Sequence, residues 1–164
     1  MNPYCIRFLL GCFLWIVSAL AIAASAELPR AENLQTDAQQ AVADKKPIVL
    51  FFTLPNCSYC RIVRYDYFLP LLKQRTGNDQ PIIREISVTG QNRVTLFDGQ
   101  RLTETELAER YKVHMTPTVL FVNHEGDVVG NSIIGGDHPN YITLFDKSLA
   151  EASTKMAGKR VRVR

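Results

Sequence analysis

The sequence predicts an α/β domain with elements in the order αβαβαββα, parallel strands first and an antiparallel hairpin last, wrapped by helices. Three observations carry that reading. Pro47 to Thr53 is a run of β-branched, aliphatic and aromatic residues, the pattern of a strand buried on both faces. Segments with apolar residues at helical spacing stand on either side of it. Near the C-terminus, Val119 to Val122 and the pairs Val128-Val129 and Ile133-Ile134 flank the turn Asn123-His124-Glu125-Gly126-Asp127, which reads as a hairpin.

Taken in order, Asn33 to Lys45 carries Leu34, Ala38, Ala41 and Val42 at helical spacing and is predicted to pack on the sheet, ending before Pro47. The strand comes next, is broken by Leu54-Pro55-Asn56, and gives way to Cys57-Ser58-Tyr59-Cys60 opening a helix. That helix runs on through Leu69. Pro70 lacks a backbone N–H and is expected to kink or restart it, and Gly77-Asn78-Asp79 closes it. Ile82 to Val88 reads as the second strand. Thr89 to Gln100, with turn residues around Val94-Thr95-Leu96-Phe97, reads as an ordered loop. Thr103 followed by Glu106 is a capping-box signature for a helix to Tyr111. The closing helix is expected over Pro139 to Ala150, with Tyr141, Ile142, Leu144, Phe145 and Leu149 as its apolar set.

At 164 residues, 46% of them hydrophobic, the chain holds one domain with appendages. Residues 1–26 read as an export signal. Arg7 gives a weakly basic start, Phe8 to Ala23 is almost wholly apolar, and Ala24-Ser25-Ala26 is a small-x-small cleavage site. Cleavage is expected between Ala26 and Glu27, giving an exported protein. The alternative is an uncut inner-membrane anchor, since about 17 apolar residues suffice to span a bilayer. A lipoprotein site at Cys12 ranks third, because too few apolar residues precede it. All 16 acidic residues fall within the domain at 27–154, which is mildly acidic. Residues 155–164 form a basic tail with Lys155, Lys159, Arg160, Arg162 and Arg164 and no acid. Such a tail suits nucleic acid or an anionic membrane. In an exported protein nucleic acid is set aside as a partner, and the tail is read as a solvated terminus.

Of the four cysteines, Cys5 and Cys12 leave with the signal, so the exported chain keeps Cys57 and Cys60 alone. An exported domain stabilised by disulfides normally carries several at long spacing, so one close pair points to chemistry. A thiol at the start of a helix lies beside unpaired backbone N–H groups and the positive end of the helix dipole. Both favour the thiolate, the species that attacks disulfides. Cys57 is therefore expected to be the nucleophile and Cys60 the more buried resolving thiol. Two plainer readings compete. A zinc site needs more ligands, and His114, His124 and His138 are scattered. A purely structural disulfide over so short a loop adds less stability than a long-range one.

The order of elements, the Phe52-Thr53-Leu54-Pro55-Asn56-Cys57-Ser58-Tyr59-Cys60 stretch, Thr116-Pro117-Thr118 before the hairpin, and Gly126 and Gly135 after it resemble the thioredoxin superfamily over roughly residues 33–152. Within it the chain is similar to exported bacterial thioredoxin-like proteins, such as those of sulfur-oxidation and cytochrome-maturation systems. The Cys-x-Tyr-Cys form is shared with periplasmic disulfide isomerases and glutaredoxins. The resemblance implies a thioredoxin-like fold, a central mixed sheet with a C-terminal β-hairpin flanked by helices. It implies a redox-active disulfide between Cys57 and Cys60, with Ser58, Tyr59, Thr116 and a cis-Pro117 contacting substrate. The chain departs from the thioredoxin pattern too. Where cytoplasmic thioredoxins have a buried aspartate, Phe51 stands here, and no carboxylate is expected at that place.

The residues and the resemblance together point to a thiol:disulfide oxidoreductase working as a reductase of protein disulfides. A membrane thiol donor would feed it, no cofactor and no metal are implied, and it is expected to act as a monomer. The competing readings are an oxidase or isomerase, and a non-catalytic assembly factor.

Overall fold

The computed structural model describes residues 27–160. The signal segment with Cys5 and Cys12, and the last residues of the basic tail, lie outside the described residues. At the centre is β1 (Ile48–Thr53), every residue of it buried. It runs parallel to β2 (Ile82–Ser87) with Phe51 opposite Glu85, and antiparallel to β5 (Thr118–Val122) with Phe51 opposite Val119. β6 (Ile133–Ile134) pairs antiparallel with β5, so the sheet order is β2-β1-β5-β6. This is a mixed sheet with helices on both faces. Side chains of a strand alternate between faces, so β1 divides its residues between two cores. Val49 and Phe51 face one, and Ile48, Leu50 and Phe52 face the other.

The second face is covered by α1 (Leu34–Asp44) and α4 (Glu104–Arg110). Both start on side-chain caps. Asn33 accepts from the N–H groups of Gln35 and Thr36. At α4 the predicted capping box forms, Thr103 Oγ1 accepting from Glu106 N–H while Glu106 Oε2 accepts from Thr103 N–H. The Thr103 N–H and the Thr103 hydroxyl, both donating to Oε2, hold the Glu106 carboxyl below its ordinary range. α1 turns a different face inward than its apolar pattern predicts. Leu34, Asp37 and Ala41 are buried while Val42 is exposed. Asp37 is held there by Arg84, whose Nε lies 3.0 Å from each of its carboxylate oxygens.

The first face carries the irregular helix. α2 (Ser58–Ile62) passes into a π-helical stretch, Val63–Phe68, and then α3 (Leu69–Gln74). The kink expected at Pro70 takes the form of this widened turn, where Leu69 N–H reaches back to Arg64 O. Such turns arise where a proline leaves a carbonyl without its i+4 donor. The helix packs through an aromatic chain: Phe51 against Phe68 at 5.1 Å, Phe68 against Phe145 at 5.2 Å, and Tyr67 stacked on Tyr141 at 4.8 Å. α5 (Tyr141–Arg160) closes this face and runs beyond Ala150, where the apolar pattern had placed its end, with Met156 still buried.

Three further differences stand out. The stretch read as a loop over Thr89 to Gln100 contains β3 (Arg93–Thr95), which pairs with β4 (Arg101–Thr103) as a separate two-stranded ribbon. Only a few residues on each side pair, too short a run for alternation to reveal. The return strand of the hairpin is interrupted: Val128 bridges Val122, and pairing resumes only at Ile133. Last, the chain is ordered before Asn33. Leu28 and Ala31 are buried, and Glu85 donates its N–H to Pro29 O (2.8 Å) and accepts from Ala31 N–H (3.0 Å), so this strap covers the outer edge of β2.

Candidate active site

The site lies at the C-terminal end of β1, where Leu54-Pro55-Asn56 turns the chain into α2. Asn56 adopts a left-handed conformation (φ 61°), which asparagine tolerates better than most residues. Cys57 is the N-cap of α2, and its Sγ accepts from Cys60 N–H at 3.1 Å. The two cysteines form a disulfide, with S–S 2.11 Å. Their surroundings differ. Cys57 is half-buried and borders an open groove, whereas Cys60 is 1% exposed and packs into the aromatic core.

Two other segments close on the pair. Thr116-Pro117, a cis peptide, brings Thr116 Oγ1 to 3.8 Å from Cys57 Sγ, and Pro117 O accepts from Gly135 N–H at 2.8 Å. Gly136 comes next, and a Cβ there would lie 2.9 Å from Tyr59 O. Only glycine lets these backbones approach so closely. Of the residues expected to meet substrate, Ser58 and Tyr59 are exposed, Thr116 is half-buried, and Pro117 is buried beneath it. Exposed Met115 and Ile134 sit on the two segments flanking Pro117 and Gly135. His114, His124 and His138 do not converge. Among the described residues no group of three or more His, Cys, Asp or Glu is placed to hold a metal ion.

The groove beside Cys57 encloses about 510 Å³. On its wall lies a carboxylate that sequence reasoning missed. No carboxylate occupies the Phe51 position, but Glu85 stands directly across the strand register from it. Glu85 accepts from Thr53 Oγ1 at 2.8 Å and from Arg64 Nε at 3.1 Å, with a second Arg64 nitrogen on its other oxygen. The hydrogen-bonded carboxylate raises the Arg64 guanidinium above the ordinary arginine range, more than burial lowers it. The signal for this pair was the adjacent Arg84-Glu85 inside an otherwise apolar strand. Successive strand residues face opposite ways, so each charge needs its own partner, Asp37 on one face and Arg64 on the other.

A strand-turn-helix carrying a disulfide-linked Cys-x-x-Cys, with a proline loop against its first sulfur, defines a thioredoxin-like oxidoreductase fold. The chain belongs to the thioredoxin-like domain family, whose model matches residues 34–145. Among solved structures it is similar to poplar thioredoxin h at 15% identity (TM-score 0.50, covering 72% of this chain and 95% of that one). A poplar thioredoxin h mutant gives 17% identity (TM-score 0.51, 77% and 85%). The oxidised C-terminal domain of DsbD from Neisseria meningitidis gives 21% identity (TM-score 0.45, 74% and 99%). The two poplar likenesses support the fold. No curated protein sequence matches the chain.

Proposed function

We propose that the protein is a periplasmic thiol:disulfide oxidoreductase that reduces disulfides in other proteins. The observation that carries this is the asymmetry of the pair: Cys57 at a helix N-cap on an open groove, Cys60 buried behind it. In the reduced form the Cys57 thiolate attacks one sulfur of a substrate disulfide, forming a mixed disulfide and expelling the other sulfur as a thiolate. Cys60, as its thiolate, then attacks Cys57 Sγ. The Cys57–Cys60 disulfide forms, the second substrate thiol leaves, and two electrons have passed to the substrate. A membrane thiol donor restores the dithiol.

Thr116, whose hydroxyl lies 3.8 Å from Cys57 Sγ, and Pro117 next to it, together with Ser58 and Tyr59, form the surface on which the substrate chain lies. The export reading rests on residues 1–26, and among the described residues no helix is long and apolar enough to cross a membrane. Reduction of a peptide disulfide by the dithiol protein tests the reading. Cys57→Ser abolishes it, and Cys60→Ser leaves a mixed disulfide on Cys57 that only an outside thiol releases. If Cys60→Ser captures no protein in cells while the wild-type pair cycles between its oxidised and reduced forms, the exchange mechanism is wrong.

A further inference from the structure

The groove beside Cys57 is lined by three arginines and two glutamates, and most of that charge is already engaged. Arg64 and Glu85 hold each other. Glu104 is 1% exposed, with its oxygens accepting from Ser87 N–H and the Asn92 amide, both at 3.0 Å. Arg30 and Arg61 are different. Both are exposed, and neither guanidinium has a hydrogen bond or ion pair among the described residues.

The backbone of each is nevertheless fixed. Arg61 lies one turn beyond Cys57, its N–H on Cys57 O at 3.1 Å. Arg30 is pinned on the edge of β2 by the bonds its two neighbours make to Glu85, and it pairs in register with that residue. The two therefore stand on different walls, one on the helix that carries the cysteines and one on the N-terminal strap. A guanidinium presents a planar fork of donors that matches a carboxylate. Leu54 (40% exposed), in the turn before Cys57, and Tyr65 (52% exposed), on the same helix as Arg61, add apolar surface to the lining. A space of about 510 Å³ with two unengaged cations on its rim accommodates several residues of chain.

We propose that Arg30 and Arg61 select substrate disulfides flanked by acidic side chains, the groove holding an extended acidic polypeptide segment beside Cys57. This rests on the exchange chemistry proposed above and adds a substrate class to it. The test uses one peptide sequence with a disulfide-linked reporter on its cysteine and Glu, Gln or Lys at the flanking positions. The reduced protein is expected to act on the Glu peptide about fivefold faster than on the Gln peptide in kcat/KM, the size of two exposed ionic contacts. The gap should lie in KM and close as salt shortens the Debye length to about 3 Å at 1 M.

Arg30→Glu/Arg61→Glu should shift the preference to the Lys peptide, an inversion that damage to the fold does not produce. The single variants Arg30→Gln and Arg61→Gln should each narrow the gap. Equal rates on the Glu and Gln peptides, or a Glu preference that survives charge reversal, overturn the inference while leaving the reductase reading intact. Arginine-dependent reduction of glutathione disulfide without any gap between the peptides assigns the two residues to a small carboxylated disulfide and overturns the polypeptide occupant. No reduction of any peptide removes the exchange chemistry itself, and this inference with it.

Discussion

The two faces of the central sheet are built differently. On the face of α1 and α4 the core is mainly aliphatic, with Leu34, Leu50, Ile86, Leu107, Leu120 and Val122, and the helices begin on regular caps. On the face that carries the cysteines the core is aromatic, and the helix is interrupted by a π turn. Each face has one partly buried ion pair drawn from adjacent residues of β2, Arg84 with Asp37 and Glu85 with Arg64. Each also has one tyrosine whose hydroxyl must be accounted for. Tyr111 donates to Gly126 O at 2.8 Å, whereas the buried Tyr141 hydroxyl has no partner among the described residues. One face thus has regular helix starts and its tyrosine hydroxyl bonded. The other combines irregular backbone and an unpartnered polar atom, the kind of local conflict that concentrates at functional sites.

The largest effect expected separates the faces by function. Phe68→Ala and Leu107→Ala both empty fully buried positions and should cost about 3–5 and about 2–5 kcal/mol in denaturant unfolding. Phe68 packs the helix that carries Cys60, against Phe51 and Phe145. Its loss should also slow peptide-disulfide reduction per folded molecule, whereas Leu107→Ala should leave that rate near wild type. Equal activity losses would show that the faces are not functionally distinct.

A smaller effect comes from the ion pairs. Asp37→Ala and Glu85→Ala each leave an arginine without its carboxylate and should cost about 1–3 kcal/mol. Only the second frees a positive charge on the groove wall shared with Cys57. A nearby cation favours the thiolate. The pH midpoint of Cys57 alkylation by iodoacetamide should therefore fall in Glu85→Ala and stay put in Asp37→Ala.

The smallest effects are those of the tyrosines. Tyr111→Phe should cost about 1 kcal/mol at neutral pH, because it strands the Gly126 carbonyl. Tyr141→Phe removes a hydroxyl that has no partner among the described residues and should be neutral or slightly stabilising. Burial pushes the Tyr111 phenol up to about 12 and raises that of Tyr141 as well. The folded state therefore keeps both protons after the unfolded chain, with phenols near pH 10, begins to release them. This contribution is intact below about pH 10 and is lost as pH rises through the folded-state values. The fall in unfolding free energy between about pH 10 and about pH 12 should be shallower in Tyr111→Phe than in wild type.

The sequence alone was enough for the order of the main elements, the buried β1, the capping box at Thr103, the irregularity around Pro70 and the position of the Cys57–Cys60 pair. Each of these is written in neighbouring residues: a run of β-branched and aromatic side chains, a Thr-x-x-Glu, a proline in a helix, two cysteines one turn apart. The tertiary structure alone decided which side of α1 faces inward, because Arg84 reaches Asp37 from another strand and pulls that side down in place of Val42. It decided that the strap around Arg30 folds along β2, since a segment of so few residues shows no periodicity of its own. It also decided that Glu85, Arg64, Arg61 and Arg30 share a groove with Cys57. Arg61 and Arg64 follow Cys57 on its own helix, but Glu85 and Arg30 are far from it in the chain, and they join it because parallel pairing sets Glu85 beside β1 and the strap sets Arg30 beside Glu85, a register that side-chain chemistry at distant positions fixes and no local pattern encodes.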